Sequence, residues 1–457
     1  MEVEEDGRVR TGTVWTATTH AITAVIGSGV LALPWSLAQM GWIMGPLALV
    51  FFAYVTYYTA TLLTDCYRSP DPIKGRRNYT YMHVVRACLG PREVFVCGIA
   101  QYAILWGCAI GYTITAATGM MSFKRSNCYH KNGPDAECSS SGNWFMIIVG
   151  GIEIVLSQLP NLDKVTFLSV VAAVMAFGYS FIGLYLCSIK LASNHEIRGS
   201  LSGVKAGIMG VSMSQRVWHA LQALGNIAFA YTYAMLLVEI QDTLKSPPPE
   251  NKTMKRATMY GITITTMFYV SLGCVGYAAF GNATPGNVLT GFREPFWLVD
   301  IANLAVVIHL IGAYQLYAQP MFAFFEKWLG SKWPTAGFFH TVYTIRLPFG
   351  SCSFQFTLCK LILRTVFVVF TTTVAMMLPF FNAILGLLGA IAFWPLTVYF
   401  PVSMYMAQAK IKRGTRKWVV LQSLSMFALM VSLVAAVGSV ADIGERLRHA
   451  TLFSITL

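Results

Sequence analysis

The chain has 457 residues, of which 55% are hydrophobic and only 12% are charged, and its mean hydropathy is +0.57. This composition excludes a soluble globular class and predicts an all-α membrane protein with many spans. The formal net charge of +13 would suit a nucleic-acid-binding protein, so the positions of the charges must decide what it means.

Apolar segments near or above the roughly 20 residues needed to cross a bilayer as a helix recur along the whole chain. We count eleven, at about 14–38, 44–67, 92–120, 143–160, 165–189, 217–241, 257–280, 296–326, 360–380, 383–406 and 418–440. With a cytosolic N-terminus, most of the 33 Lys and Arg residues fall in cytosolic segments, as the positive-inside rule requires. The basic balance therefore indicates topology rather than nucleic-acid binding, and it predicts an extracellular C-terminus.

The N-terminal residues argue against a cleavable signal peptide. The chain opens with Glu2, Glu4, Glu5 and Asp6 rather than with a basic stretch and a short apolar core.

The first span contains residues that interrupt a helix. Gly27 and Gly29 flank Ser28, and Pro34 follows five residues later. Glycine loses the most backbone entropy in a helix and proline lacks a donor, so the helix is expected to break here. Freed backbone groups in hydrocarbon cost several kcal/mol each unless a polar group meets them. The break therefore predicts a bound zwitterion, with N–H groups of the half-helix from Val30 facing its anionic group.

Two polar external features follow from this topology. Cys128 and Cys138 lie in the segment between the third and fourth spans, where oxidation is possible, and we expect them to form a disulfide. The other cysteines show no metal-type spacing, and we predict no metal site. Of the Asn-x-Ser/Thr sequons at Asn78, Asn251 and Asn282, only Asn282 is expected outside and therefore glycosylated.

The sixth span carries a second pair of breakers, Gly225 and Asn226, because both tolerate non-helical backbone. Spans one and six each begin a block of five helices, 14–189 and 217–406. An odd number of spans per block gives the two blocks opposite orientation. Interrupted helices at matching positions of inverted halves indicate a transporter's binding site at the midplane. The alternative is two kinked helices without a ligand.

The remaining segments complete the predicted organisation. They are a cytosolic tail at 1–13, an extracellular loop at 190–216, a basic cytosolic loop at 407–417, the eleventh span at 418–440 and a tail at 441–457. The sequence assigns no role to the cytosolic loop 330–359 or to the C-terminal tail.

Ionisable residues inside spans are candidates for proton coupling or gating. Glu153 and His309 lie mid-span, and each has the alternative of being a hydrogen-bonded core residue. Glu239 is a candidate for a cytosolic gate or a pair with a nearby arginine. His20, in the first half of span one, and Asp300, at the external end of span eight, are further gate candidates.

Several motifs resemble those of the plant amino acid permeases in the amino acid/auxin permease family, which is similar to the LeuT-type five-plus-five inverted-repeat fold. The motifs occupy residues 27–35, 226–231, 239–243, 378–382 and 393–401. The resemblance extends from Gly12 to about Gly438. It implies proton-coupled amino acid import across the plasma membrane through eleven spans, with helices one and six broken, a cytosolic N-terminus and no cofactor besides the coupling proton.

The resemblance also implies which residues bind substrate. Backbone groups near Gly27 would hold the carboxylate, residues from Asn226 onward would form the other half of the pocket, and the Tyr102 hydroxyl would cap the carboxylate. The implied set is Ile26, Gly27, Ser28, Gly29, Tyr102, Asn226, Phe229, Ala230 and Tyr231. Many relatives carry Asp where this chain has Asn226, which cannot titrate, so proton coupling or tolerance of charged substrates is expected to differ here.

The sequence therefore predicts an amino acid importer that works by alternating access. An auxin or other organic-acid carrier of the same fold is one alternative, and a sensor that binds amino acids without translocating them is another. An intramembrane enzyme would need clustered acid and base groups with a metal or nucleophile motif, and the sequence contains no such motif.

Overall fold

A computed structural model of the chain describes residues 10–133, 136–138, 141–158, 162–205, 207, 211–334, 336–346 and 353–449. These residues are largely α-helical. The helices are α1 (Val14–Val25), α2 (Leu33–Cys66), α3 (Tyr81–Leu89), α4 (Pro91–Asn132), α5 (Gly142–Ser157), α6 (Leu162–Asn194), α7 (Met213–Ala230), α8 (Ala234–Asp242), α9 (Glu250–Phe280), α10 (Phe296–Lys332), α11 (Gly337–His340), α12 (Leu358–Met377), α13 (Phe381–Ala392), α14 (Phe400–Gln408) and α15 (Arg416–His449).

Shorter elements join these helices. Single 3₁₀ segments occupy Ser28–Ala32, Gly281–Ala283 and Val288–Gly291, and Phe393–Tyr399 is π-helical. Two antiparallel strand pairs are present, β1 (Arg68–Ser69) with β2 (Arg76–Arg77), and β3 (Val342–Arg346) with β4 (Ser353–Thr357). The described residues of the segment 330–359, to which the sequence assigns no role, thus include α11 and the paired strands β3 and β4.

Nine helical segments of the described chain are long and apolar enough to cross a membrane, by length and composition. Gly142–Ser157 is a shorter apolar helix. One of the nine, Ser28–Cys66, covers the second half of the predicted first span and the whole of the second. Within it Gly41 is non-helical, with φ +79° and ψ 179°. A side chain there would also collide with the backbone of Leu201 and Gly203, so this position requires glycine.

Two helices continue past the ends of the predicted spans. The third span was predicted to end at about 120, and α4 stays helical as far as Asn132. The eleventh span was predicted to end at 440, and α15 stays helical as far as His449. Polar residues at the end of a membrane helix extend it beyond the hydrocarbon layer, where apolar periodicity no longer reports it.

The described residues form two compact units, each discontinuous in sequence. The first takes its residues from Met1–Ile104, Leu184–Val288 and Asn382–Gly444, and the second from Leu105–Gly183, Leu289–Phe381 and Glu445–Leu457. In the first unit α2 packs along α7, α9 and α14, and α1 packs along α9. In the second unit α5 packs against α10 and α12. Both units have cores of buried aliphatic and aromatic side chains.

Candidate functional site

The first interrupted helix is α1. It begins at a capping box in which the side chains of Thr13 and Thr16 each accept a hydrogen bond from the other's backbone N–H. It ends at Val25, because Ile26 and Gly27 have extended backbone conformations. A 3₁₀ turn starts at Ser28 and leads into α2, where Pro34 occupies the first turn, a position that needs no backbone donor. The interruption therefore leaves carbonyl ends of α1 and N–H ends of the next helix at one place.

The second interruption separates α7 from α8, but not where the sequence predicted it. Gly225 and Asn226 lie inside regular helix, and the break falls at residues 231–233, so the predicted breaker pair was wrong. Gly225 has a packing role instead. A side chain on it would collide with the backbone of Gly386, and one on Gly389 would collide with the carbonyl of Gly225. Glycine in this helix thus permits close approach of α13 rather than breaking α7.

The two interruptions lie against each other within the first unit. A Cβ atom added to Gly29 would stand 3.1 Å from a ring carbon of Phe229 and 3.5 Å from the Cα of Ala230. The 3₁₀ turn after α1 therefore packs on the last residues of α7. The ends of two helices that have lost their regular hydrogen bonding meet at one buried location.

Tyr269 on α9 joins both interruptions through its hydroxyl group. This oxygen lies 2.6 Å from the carbonyl oxygen of Val25, at the end of α1, and 3.3 Å from that of Ala230, at the end of α7. Tyr269 is fully buried, and its ring makes an edge contact with the ring of Tyr231. The Tyr269 hydroxyl therefore donates to carbonyl groups at the helix ends, which have no donor within their own helices. Sequence reasoning missed Tyr269, because a tyrosine in a membrane span carries no pattern that separates it from core residues.

Gly27 stands beside open space. A Cβ atom added to it would have no neighbouring heavy atom within 4 Å, and the residue is half-buried. An extended, partly accessible glycine with free volume in front of it lets a ligand approach the backbone closely. This is the geometry that a carboxylate bound by backbone N–H groups requires.

The other predicted substrate residues are mostly buried. Ile26, Ser28 and Asn226 are between 1% and 4% exposed, and Ala230 and Tyr231 are 4% and 0% exposed. Phe229 is half-buried. Tyr102 lies on α4 and is also half-buried, and its part in the site stays a prediction. Of the predicted residues, the structure thus brings Gly29 of the 3₁₀ turn against Phe229 and Ala230 of α7.

The far end of α8 is fastened to the N-terminal segment. The guanidinium group of Arg10 donates to the backbone carbonyl of Asp242 at 2.7 Å and to its carboxylate at 2.9 Å. The hydroxyl of Tyr67 donates to the same carboxylate oxygen at 2.7 Å. Backbone hydrogen bonds from Gly12 to Thr243 and from Lys245 to Gly12 complete a short parallel bridge. The side chain of Arg10 is only 3% exposed, so this clasp is a largely desolvated ion pair.

Glu239 was predicted either to serve a cytosolic gate or to pair with a nearby arginine. It pairs with no arginine among the described residues, and its part in a gate stays a prediction. Glu239 has an exposed side chain on α8, and the carboxylate that pairs with an arginine belongs to Asp242, one turn later. Asp242 lies within the motif at 239–243, but its partner lies 232 positions away in the sequence. Neighbouring charges in the same unit are paired as well: Glu250 binds both Arg68 and Arg77.

The mid-span candidates of the second unit have hydrogen-bonding partners. Glu153 is 1% exposed, and one of its carboxylate oxygens accepts a hydrogen bond of 2.6 Å from the side-chain amide of Gln315. The other oxygen has no partner among the described residues. His309 is 8% exposed, and its Nδ1 lies 2.7 Å from the backbone carbonyl oxygen of Ala172.

The two gate candidates differ in their surroundings. Asp300 is 9% exposed and accepts a hydrogen bond of 2.6 Å from the side chain of Asn127. His20 lies on α1 with an exposed side chain. Asp300 is therefore held in place by a neutral partner, whereas His20 is accessible.

The disulfide and sequon residues also have defined positions. Cys128 at the end of α4 is bonded to Cys138. Asn282 lies in the 3₁₀ segment after α9, half-buried, and its side-chain oxygen accepts a hydrogen bond from Tyr277. Its side-chain nitrogen is the atom that a glycan would use.

Comparisons with known proteins agree on one family. Residues 10–443 match the model of the transmembrane amino acid transporter protein family. The chain is 52% identical to Amino acid permease 4 of Arabidopsis thaliana, over 96% of this chain and 95% of that protein. It is 54% identical to Amino acid permease 8 of the same plant, over 96% and 92%. Lysine histidine transporter-like 1 is more distant, at 29% identity over 96% and 90%.

A solved structure shares the fold. It is a nucleobase-cation-symport-1 family transporter in a closed conformation with bromovinylhydantoin bound. The TM-score is 0.51 at 11% sequence identity, and the match covers 97% of this chain and 95% of that one. At this identity the likeness shows a common fold, and it carries no information on the ligand.

Proposed function

Because the chain belongs to the transmembrane amino acid transporter protein family, we propose that it is a proton-coupled symporter that imports amino acids across the plasma membrane by alternating access. The observation that carries the proposal is the meeting of two interrupted helices beside open space at Gly27. Family membership indicates a transporter rather than an enzyme. Protons, amino acids and the lipid bilayer are the proposed partners.

The arrangement suits a zwitterionic substrate. The first N–H groups of the 3₁₀ turn that begins at Ser28 receive no side-chain cap, and the partial positive charge at a helix start favours a carboxylate. Carbonyl groups at the ends of α1 and α7 favour an ammonium group, and Tyr269 occupies only part of their accepting capacity. An α-amino acid carries both charges on one carbon atom, so a single ligand can meet both sets of backbone groups.

The proposed topology has eleven spans in two inverted blocks of five plus one, with the N-terminus in the cytosol and the C-terminus outside. Non-helical Gly41 supports a division of Ser28–Cys66 between two spans. The short apolar helix Gly142–Ser157 supplies the remaining one. In this orientation the clasp of Arg10 and Asp242 lies at the cytosolic end of α8, where its closure would block exit of the substrate.

Uptake into proteoliposomes tests the proposal. Purified full-length protein is reconstituted, a labelled mixture of L-amino acids is added outside, and the pH outside is made lower than inside. Accumulation that collapses when a protonophore removes the gradient supports a proton-coupled importer. Binding without accumulation would indicate a sensor, and accumulation of an auxin in place of amino acids would indicate an organic-acid carrier. Either result would overturn the proposal.

A further inference from the structure

Two amides on α7 are buried and have no hydrogen-bond partner among the described residues. Gln222 is 0% exposed and Asn226 is 1% exposed. None of their four side-chain nitrogen and oxygen atoms has a hydrogen-bond partner among the residues that the structure describes. Buried polar atoms in folded proteins are paired with protein groups or with ordered water. These four atoms therefore need hydrogen-bond partners that the described residues do not provide.

The amides continue a line of polar residues that begins at an ion pair. His219, Gln222 and Asn226 stand at positions i, i+3 and i+7 of α7 and so share one helix face, over about 10 Å at 1.5 Å per residue. Nε2 of His219 lies 3.1 Å from a carboxylate oxygen of Asp442 on α15, and both side chains are mostly buried. Ser439 stands one turn before Asp442. We call these five residues the α7–α15 polar stripe.

Glycine contacts hold α13 and α15 close to this stripe. A Cβ atom on Gly386 of α13 would stand 2.6 Å from the Ser439 hydroxyl oxygen and 2.8 Å from Cγ of Gln222. A Cβ atom on Gly438 would stand 2.8 Å from the backbone oxygen of Trp218 and 2.9 Å from the backbone nitrogen of Gln222. The atom nearest to a Cβ on Gly438 would be Cβ of Leu221, at 2.6 Å. These glycines therefore let α13 and α15 approach α7 closely, with the Ser439 hydroxyl and the Gln222 side chain both beside Gly386.

The stripe leads from the His219–Asp442 pair to the helix interruption. Asn226 is one turn before Ala230, the last residue of α7, whose carbonyl oxygen lies 3.3 Å from the hydroxyl of Tyr269. His219 also meets the ring of Trp35 on α2. The next charged residues along the two helices are Arg216 before His219, and Glu445 and Arg446 after Asp442.

We propose that ordered water fills the α7–α15 polar stripe and that this file of water carries protons between the His219–Asp442 pair and the interrupted helices. The inference rests on the proposed function, since it names the route of the coupling proton. The proton enters the file beside the His219–Asp442 pair, whose ring nitrogen and carboxylate oxygen stand 3.1 Å apart. The amides do not titrate. They hold each water by donating to its oxygen and accepting from its hydrogen.

Proton movement along such a file conserves every atom. Each water accepts a proton on its oxygen while one of its own hydrogens passes to the next water, so the water remains water and one proton advances. At the interruption the last water passes the proton to the carboxylate of the bound amino acid, and neither amide changes its charge. A route whose amide side chains do not titrate fits a chain that has Asn at position 226.

Two variants test this route, Gln222→Leu and Asp442→Asn, in full-length protein in proteoliposomes. Exchange of labelled for unlabelled L-amino acids at equal pH needs no net proton movement, whereas accumulation under a pH gradient does. We expect exchange to stay within about twofold of wild type and accumulation to fall about tenfold in both variants. Gln422→Leu is the matched control, because Gln422 lies on α15 about 25 Å along the helix from Ser439.

The outcomes separate the two proposals. Full accumulation of amino acids by both variants overturns the proton route. Loss of both exchange and accumulation overturns it as well, because the stripe would then bind the amino acid itself. A wild-type protein that exchanges amino acids but never accumulates them under a pH gradient instead removes the proposed proton coupling. Thermal unfolding adds an independent readout. If no water binds the Gln222 amide, Gln222→Leu should raise the melting temperature, and that result would overturn the inference. If the substitution displaces bound water, the melting temperature should stay equal or fall.

Discussion

The hydroxyl oxygen of Tyr269 lies 2.6 Å from the carbonyl oxygen of Val25, the residue at which α1 ends. The same oxygen lies 3.3 Å from the carbonyl oxygen of Ala230, at which α7 ends. One buried side chain on α9 thus meets both helix ends that form the candidate site. Its hydrogen bond keeps these ends together and leaves the remaining lone pairs of both carbonyls for a ligand.

Replacement of Tyr269 by Phe removes this hydrogen bond and keeps the ring. We expect a loss of about 1–3 kcal/mol in stability, because a buried carbonyl loses its donor. We also expect a raised KM for uptake, because the two helix ends lose their common anchor. Tyr277→Phe on the same helix is the control, since that hydroxyl bonds the backbone of Ser200 instead. Wild-type melting temperature and KM in Tyr269→Phe would contradict this role.

Replacement of Gly27 by Val is expected to abolish uptake while the protein stays folded in the membrane. The added side chain enters open space, and the extended backbone at Gly27 accepts any residue, so the fold tolerates it. The same side chain occupies the volume proposed for the substrate carboxylate. Uptake by the variant and its melting temperature are measured together. Normal uptake with normal folding would place the carboxylate elsewhere.

Loss of the clasp is expected to loosen the N-terminal segment. Asp242→Asn weakens the ion pair, and Arg10→Gln leaves the desolvated Asp242 carboxylate without its cation. Loss of one partner of a buried ion pair lowers local stability by about 3–5 kcal/mol. Amide hydrogen exchange across residues 10–25 should then speed up. The double variant Arg10→Asp with Asp242→Arg should recover part of the protection. Unchanged exchange rates in the single variants would show that the clasp does not hold this segment.

Glu153→Gln tests whether the buried carboxylate of the second unit carries a coupling proton. Glutamine has nearly the same shape, and its side-chain oxygen can still accept the hydrogen bond from Gln315. If Glu153 is protonated in each cycle, the variant should exchange amino acids and fail to accumulate them under a pH gradient. Accumulation equal to wild type would identify Glu153 as a packing residue, the alternative that its burial also allows.

Glycan mapping tests the proposed topology. Asn282 is expected to carry a glycan when the protein is made in a eukaryotic cell, and Asn78 and Asn251 are not. Asn251 also bonds the carboxylate of Asp65 through its side-chain nitrogen. Asn282→Gln should therefore remove the mobility shift that glycosidase treatment reveals. A shift that persists in this variant and disappears with Asn78→Gln or Asn251→Gln would reverse the orientation of the spans.

The candidate site was only partly readable from the sequence. The sequence predicted the break at Gly27, Gly29 and Pro34, because glycine and proline change the backbone's freedom whatever surrounds them. The same reasoning failed at Gly225 and Asn226, which lie within regular helix. Gly225 is needed there for helix packing, because Gly386 and Gly389 of α13 lie directly against its backbone. A single sequence does not distinguish a glycine that bends a helix from one that admits another helix.

The sequence by itself determined the membrane class and the interruption after α1, because hydropathy and backbone freedom belong to the residues themselves. The orientation that its basic residues indicate stays a prediction. Only the tertiary structure decided that the second interruption lies at residues 231–233, that Tyr269 joins both helix ends and that Asp242 rather than Glu239 meets Arg10. These relations connect residues that are far apart in the chain. They depend on distances of a few ångströms between packed helices, which residue type and spacing do not encode.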